Sequence, residues 1–380
     1  MKVLVLYDYP PSPGGLATQG DLLYKGLKEM GVDAYPVHFE SAQEKEWYYH
    51  WFKPDVAVGV GYWGHSPSLV IHPQHYGITP VPWLVADGYI ANYREILENL
   101  PLILVTSEWV KKVYIRDGMS GGNIEVLPVG CDTDSFCPRD KNDPKITAIR
   151  QALGVSQDEL MILTIGGDAA SKGGQEVMQA LAMIDGKVPA WKYVCKVWPQ
   201  PRTDQQNLLD FQLAAQLGIE KKIIYAVNKN SRNFMPYLIA ACDIYAAPSR
   251  LEGFGMIQVE ANACEKPVIG INAMGLLDTM IQGKTAYLAS IAQEITIDET
   301  IVGIESGFQP GTKITFKQSR VVDYRASAPD IAKYLLKLMN NPDLRKKMGA
   351  AGRKRVVNNF NYKVVAKKFV EIAQRRLGIN

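Results

Sequence analysis

The amino-acid sequence predicts an α/β protein made of two doubly wound parallel-sheet domains facing across a cleft. Three observations carry this expectation: a length of 380 residues, a repeated alternation of short β-branched runs with helix-like segments, and one proline-rich break dividing that alternation into two series. A chain of this length exceeds one ordinary domain core. Short apolar runs separated by helical stretches are what a parallel sheet covered on both faces requires.

The first series is KVLVLYD (2 to 8), DAYPVHF (33 to 39), DVAVGV (55 to 60), VPWLVAD (81 to 87), LILVTS (102 to 107) and EVLPVG (125 to 130). The stretch CPRDKNDPKITAIRQALG (137 to 154) breaks it with prolines and mixed charge, so the first domain is expected over 1–145 and the second over 146–360. Alternation resumes with MILTIGG (161 to 167), WKYVCKVW (191 to 198), KKIIYAV (221 to 227), DIYAAPS (243 to 249) and KPVIGIN (266 to 272). Within 289–325, ITIDETIVGIE and TKITFK read as short strands of an insertion. From Asp330 apolar residues recur at helical spacing, which predicts two or three closing helices with Gly352 as an interruption.

Bulk composition narrows the function classes. With 47% hydrophobic and 21% charged residues the chain is globular, and no apolar run approaches the roughly 20 residues of a membrane-spanning helix. Met1 leads straight into a strand-like run without a secretory leader, so a cytoplasmic protein is expected. A net charge of +3 is too small for the extended field that nucleic-acid binding uses. The basic runs LRKKMGAAGRKR and WVKKVYIR read as solvated helix faces, with peripheral contact to anionic lipid at the inner face of the membrane as the lesser alternative. Five cysteines, none at zinc or redox spacing, read as reduced fillers.

In open α/β sheets ligands bind beyond the carboxyl ends of the strands, so the loops after strands should carry the chemistry. After the first strand, YPPSPGGLATQG stiffens a loop with prolines and places Gly14 and Gly15 before a helix, where main-chain amides can approach an anion. The spaced-glycine dinucleotide fingerprint is absent. After the first strand of the second series, GGDAASKGGQ puts Lys172 and Gly173 at the start of the next helix, a mobile charge beside free amides but without a P-loop ending. The stretch PSRLEGFGMIQVEANACEKPVIG (248 to 270) is expected as loop to Gly255 and helix from about Met256 to Cys264. Free amides at 255 and 256 would then offer an anion site. A carboxylate cannot face a phosphate, so Glu252 and Glu260 are read as gripping neutral hydroxyls on either side of it, sugar at Glu252 and ribose at Glu260. Glu265 reads as a turn residue.

Taken together, the Gly14-Gly15 loop, SEWVKK followed by VLPVGCDTDSF, Lys172-Gly173 and the Glu252 to Glu260 stretch resemble the retaining glycosyltransferases with two Rossmann-like domains, the GT-B fold, and within them family 4, glycosyl transferases group 1. The resemblance implies a retaining hexosyltransferase that moves a sugar from a nucleotide diphosphate sugar to a hydroxyl of a sugar, glycan or lipid-linked acceptor, with no metal or other cofactor. It implies an acceptor-binding first domain, a nucleotide-sugar-binding second domain, and a segment 361–380 crossing back to the first. Lys172 would meet the diphosphate, and Glu252 the donor sugar. Gly253, Phe254, Gly255 and Met256 would present amides to sugar and diphosphate, Glu260 would hold the ribose, and Gly15 would join the donor side. Asp87 would assist at the reacting centre in place of the family's histidine, with a turn-capping role as its alternative. Gly14, Tyr62, Trp63, His65 and Tyr89 would line the acceptor side. Gly167 stands where the family keeps an arginine, and Lys196 or Arg202 are the expected substitutes. Asp132 and Asp134, and the pair His72 and His75, are read as structural, not as a metal site. Two rival readings are a nucleotide-sugar-binding protein without transfer and a phosphorylase or epimerase on the same plan.

Overall fold

The computed structural model describes residues 1 to 86 and 88 to 379, with Glu305 described in its backbone alone. Asp87, named above, lies outside the described residues. Two compact units divide the chain. Unit 1 holds Met1–Asp132, Thr296–Val321 and the chain from Asn359 onward, and unit 2 holds Thr133–Ile295 and Val322–Asn358. The first division thus comes just ahead of the proline-rich stretch, and much of the segment expected as an insertion in the second domain groups with unit 1.

Unit 1 is built on β1 (Lys2–Tyr7), β2 (Asp33–His38), β3 (Val56–Tyr62), β4 (Thr79–Val85), β5 (Ile103–Val105) and β6 (Ile124–Val126), in the spatial order β2-β1-β3-β4-β5-β6. All neighbours pair in parallel, for instance Val3 with both Ala34 and Val56. Helices cover both faces, and β1 accordingly has every residue after Lys2 buried. Its core joins Leu4, Leu6, Trp63, Leu69, Val105 and Tyr114. The C-terminal helix Tyr362–Leu377 packs on the helix Gly15–Glu29, where a side chain at Gly26 would strike the Ala366 methyl at 2.6 Å. The Tyr362 hydroxyl donates to Glu29 Oε1 at 2.7 Å across the same contact.

Unit 2 carries β7 (Leu160–Ile165), β8 (Trp191–Val197), β9 (Ile223–Val227), β10 (Ile244–Ala246), β11 (Val268–Ile271) and β12 (Ala286–Ala289), in the order β12-β11-β10-β7-β8-β9. Each described pairing is again parallel. The strand β12 goes unpredicted because AYLA is short and half alanine, with weak strand preference of its own, and is held by pairing with Val268 to Ile271 of β11. The closing helices number three, Ala328–Met339, Pro342–Asn359 and Tyr362–Leu377. Gly352 interrupts none of them; it is buried mid-helix, where a Cβ would collide with the Asn262 side chain at 2.6 Å.

The two short strands expected near 289 to 325 are β13 (Ile291–Val302) and β14 (Thr312–Ala326), a long two-stranded arm. The fragments read from the sequence, 295 to 305 and 312 to 317, are the turn-side parts of these strands. Residues 291 to 294 are all exposed and 317 to 320 are polar, so the full length of the arm did not stand out. Among the described residues no helix is long and apolar enough to cross a membrane.

Candidate active site

Both sheets have a topological switch, between β1 and β3 in unit 1 and between β7 and β10 in unit 2, where the winding direction reverses and a crevice opens beyond the strand ends. The candidate residues gather at these two places.

In unit 2 the chain leaves β7 through a turn at Ala170–Lys172 and enters the helix Gly174–Ile184 at Gly173. Gly173 adopts φ +77°, and a Cβ there would lie 2.4 Å from the Pro248 carbonyl oxygen, so glycine lets the loops after β7 and β10 touch. The Arg250 amide donates to the Ser171 carbonyl at 3.0 Å and seals the contact. Across it, Lys172 Nζ stands 2.8 Å from Glu252 Oε2, and Glu252 Oε1 accepts the Gly255 amide at 3.0 Å. Burial pushes the Glu252 carboxyl up, but the charge and hydrogen bond of Lys172 and the amides of Gly255 and Phe254 outweigh it and hold it below its ordinary value of 4.5. Gly255 (φ +90°) opens the helix Met256–Ala263, within a residue of the expected span.

Two expectations change here. The Gly255 amide is not free, since Glu252 itself accepts from it. Nor does Glu252 stand clear of the cation: carboxylate, lysine and helix amide form one cluster, because a half-buried carboxylate needs those donors to stay charged. Gly253 and Phe254 form the backbone wall beside it. Phe254 is 4% exposed and its carbonyl accepts from Thr279 Oγ1 at 3.3 Å, while the Gly253 carbonyl crowds Gly275.

Glu260 lies in the same helix with its side chain 2% exposed. Arg232 pairs with its Oε1, and among the described residues its buried Oε2 has no hydrogen-bond partner. The sequence reading missed Arg232, which sits in a loop and is placed over the Phe136 ring at 4.6 Å. It also missed Arg250, whose Nη2 meets Gln175 Oε1 at 2.9 Å and the Glu176 carboxylate at 3.0 and 3.1 Å and so fixes the β10 loop to the helix after Lys172. A Cβ on Gly167 would face Trp198 at 3.8 Å and Gln200 at 4.0 Å, not a cation. Lys196 is buried 5.8 Å from the Trp198 ring, and Arg202 is exposed in the helix Pro201–Gln216.

In unit 1 a cavity of about 310 Å³ opens at the switch, lined by Asp8, Gly14, Gly15, Leu16, Ala17, Phe39, Val60 and His65. Gly14, Gly15 and His65 thus meet as expected residues, joined by Asp8 and Phe39, which carried no motif. His65 lies against Tyr62 (ring centroids 4.2 Å) and Phe39 (4.9 Å), and its Nδ1 is buried without a partner among the described residues. Burial lowers its pKa from the ordinary 6.5, with Glu40 opposing, so the ring is neutral at pH 7. Tyr62, Trp63 and Tyr89, also expected on this side, do not line the cavity: Tyr62 touches the His65 ring and Trp63 adjoins Tyr62. Trp63 is 4% exposed and its Nε1 donates to the Tyr89 carbonyl at 2.9 Å, which ties the loop after β4 to the turn Trp63–His65 that carries His65.

The other candidates have structural settings. Asp132 pairs with Lys25 at 3.0 Å, His72 lies 3.6 Å from Glu46 and stacks near Tyr49 and Tyr76, and Glu265 is an exposed turn residue with φ +58°. None of the five cysteines forms a disulfide.

Residues 145–306, which hold all of β7 to β12 with part of the arm, match the family model described as Glycosyl transferases group 1. The D-inositol 3-phosphate glycosyltransferase of Mycobacterium tuberculosis is 30% identical over 191 residues, 50% of this chain and 37% of that protein. The matched stretch therefore spans under half the length of this curated relative. Among solved structures, sucrose-phosphate synthase of Thermosynechococcus elongatus superposes with a TM-score of 0.74 at 16% identity over all of both chains. HepE of Anabaena, solved in complex with UDP-glucose, does so with 0.72 at 15% identity over 99% of this chain and 100% of that one. The chain has the two-domain α/β fold of the solved GT-B glycosyltransferases, and its residues 145–306 match glycosyl transferases group 1.

Proposed function

We propose that this chain is a retaining glycosyltransferase of family 4 that moves a hexose from a nucleotide diphosphate sugar, with UDP-glucose as the first candidate, to an acceptor hydroxyl. The observation that carries the reading is the Lys172, Glu252 and Gly255 cluster, a cation, a carboxylate and a helix amide brought together at the switch point of unit 2. The UDP-glucose complex of HepE, a protein of the same fold, supports the choice of donor. The name of the mycobacterial relative supports a polyol phosphate as one acceptor probe.

In this mechanism the diphosphate takes Lys172 and the Gly255 amide from Glu252 and adds the Met256 amide, while the Glu252 carboxylate turns to the hydroxyls of the donor sugar. Glu260 Oε2, without a hydrogen-bond partner among the described residues, suits a ribose hydroxyl, with Arg232 fixing the other oxygen. The bond from the anomeric carbon to the diphosphate oxygen breaks as the acceptor oxygen bonds to that carbon on the same face. The acceptor proton passes to the departing phosphate oxygen. The protein supplies position and charge stabilisation, and Lys172 with the helix amides does this without a metal. Residues around the cavity of unit 1, Gly14, Gly15 and His65, receive the acceptor, with the neutral His65 ring as part of the wall it meets.

The test is nucleotide release from UDP-, GDP- and ADP-sugars with and without acceptors, in buffer containing EDTA. Release that requires an acceptor is expected. Orthophosphate-dependent release of a sugar phosphate, epimerised donor without acceptor, or tight UDP binding with no turnover each replaces this reading with a rival.

A further inference from the structure

The arm's distal part belongs to unit 1, and its contacts there are specific. Phe308 packs on the unit 1 core, and the Ser306 carbonyl accepts Asn92 Nδ2 at 3.1 Å. Phe316 lies 5.1 Å from the Tyr89 ring, and the Arg320 guanidinium lies 5.1 Å from Phe316. Arg320 Nη2 stands 3.0 Å from Asp117 Oδ1, in a pair whose side chains are 10% and 2% exposed. Asp117 in turn accepts the Ile90 amide on Oδ2 at 2.8 Å. Apart from the packing of Phe308, the contacts the arm makes with the rest of unit 1 here fall on Tyr89, Asn92 or Asp117, the aspartate that holds the Ile90 amide.

Charge balance alone does not explain the second arginine. Asp117 already pairs with Arg116, at 2.9 Å to Oδ1 and 3.0 Å to Oδ2, and Arg116 also donates to the Gly88 carbonyl. A buried ion pair adds little net stability over apolar packing, but it fixes geometry. The geometry fixed here leads to the cavity: Arg320 and Phe316 hold Ile90 and Tyr89, the Tyr89 carbonyl holds Trp63 Nε1, and two residues beyond Trp63 His65 forms the cavity wall. We propose that Arg320 is a positioning residue for acceptor binding, acting through Asp117 and the Tyr89 to Trp63 hydrogen bond on the His65 wall, so that the arm tunes which acceptors the cavity of unit 1 accepts. This rests on the glycosyl-transfer reading.

The test compares wild type with Arg320→Ala and Arg320→Lys, and with Phe316→Ala as an independent break in the same chain of contacts. Arg116 and the Ile90 amide remain on Asp117 in each, so the fold should persist, and a thermal melt checks it. Amide exchange is read on peptides covering 88–93 and 62–66. Transfer from UDP-glucose is read against inositol 3-phosphate, glucose 6-phosphate, fructose 6-phosphate and octyl glucoside, and UDP binding is titrated separately. Expected for Arg320→Ala are exchange in both peptides faster by about tenfold and an acceptor KM raised by about fivefold or more. The UDP dissociation constant should stay within about twofold, and Arg320→Lys should recover part of the KM change. Faster exchange with unchanged acceptor KM makes Arg320 a structural clasp and overturns the proposal, as does no change in either. Wild type that binds UDP but transfers to no acceptor in the panel overturns the acceptor role, whereas wild type that binds no UDP overturns the transfer reading itself.

Discussion

The glycine loops of the two units look alike in sequence and are used differently. In unit 2, Gly173 and Gly255 adopt positive φ, and added side chains would strike the Pro248 carbonyl and Leu276 at 2.4 Å each. Those glycines are required by the fold. In unit 1, Gly14 is extended at φ 175°, open to any residue, and a Cβ there would meet nothing within 4 Å. Neither backbone nor packing asks for glycine at that position, which leaves the space itself, on the wall of the cavity, as what glycine preserves. The charged groups differ in the same sense. Unit 2 pairs its candidate side chains with one another, Lys172 with Glu252 and Arg232 with Glu260, while unit 1 leaves His65 Nδ1 without a partner among the described residues. One region is assembled by its own contacts; the other is shaped around a volume.

The largest expected effect is at Lys172. If it carries the leaving diphosphate, Lys172→Ala should lower kcat by roughly a hundredfold to a thousandfold, the usual cost of removing one transition-state charge contact. The fold should survive, because Glu252 keeps the Gly255 amide. A turnover assay with UDP-glucose decides it, and near-normal kcat would reduce the unit 2 cluster to scaffolding. Next is Arg232→Ala, which strips the counter-ion from a carboxylate whose side chain is 2% exposed. Arg232 is itself partly solvated, so the loss should be about 1 to 3 kcal/mol, below that for a fully buried pair. Adding Glu260→Gln should recover most of it in urea unfolding, since the pair and not either side chain is what the interior must neutralise.

The glycines give a sharper contrast of smaller size. Gly255→Ala should cost more than about 1 kcal/mol, from positive φ and the collision with Leu276 together. Gly14→Ala should leave stability within about 0.5 kcal/mol and yet weaken acceptor use, because Gly14 lines the cavity. Equal stability losses at both positions would erase the distinction between a glycine kept for the fold and one kept for space.

How much of this was legible follows the same division. The unit 2 cluster was readable because Glu252, Gly255 and Glu260 share one continuous stretch, and a helix start fixes which residue presents an amide. What could not be read there was pairing: that Glu252 turns onto Lys172, and that Arg232 reaches Glu260 from a distant loop. In unit 1 the glycine pair and His65 stood out, but Asp8 and Phe39 reach the cavity only through the packing of β1 and β2 beside β3. Eleven of the twelve sheet strands were visible as apolar runs, and alanine-rich β12 was not. The arm was visible only as two fragments, and nothing local to Arg320 indicates that its partner is Asp117, more than two hundred positions earlier.

The smallest effect tests whether the unpartnered histidine behaves as its surroundings require. Burial holds the folded pKa of His65 below its ordinary 6.5, with Glu40 offsetting only part. Between the folded value and 6.5 the unfolded chain binds the proton and the folded chain does not, so stability rises with pH across that window. The contribution of neutral His65 is therefore complete above pH 6.5 and is lost as pH falls toward the folded value. Urea midpoints of wild type and His65→Gln at pH 7.5 and 5.5 isolate it, because every other ionisable group is common to both proteins. Wild type should lose more on acidification than the variant does. The opposite difference would mean that the ring gains a charge partner on protonation, with Asp8 on the same cavity as the carboxylate to test next.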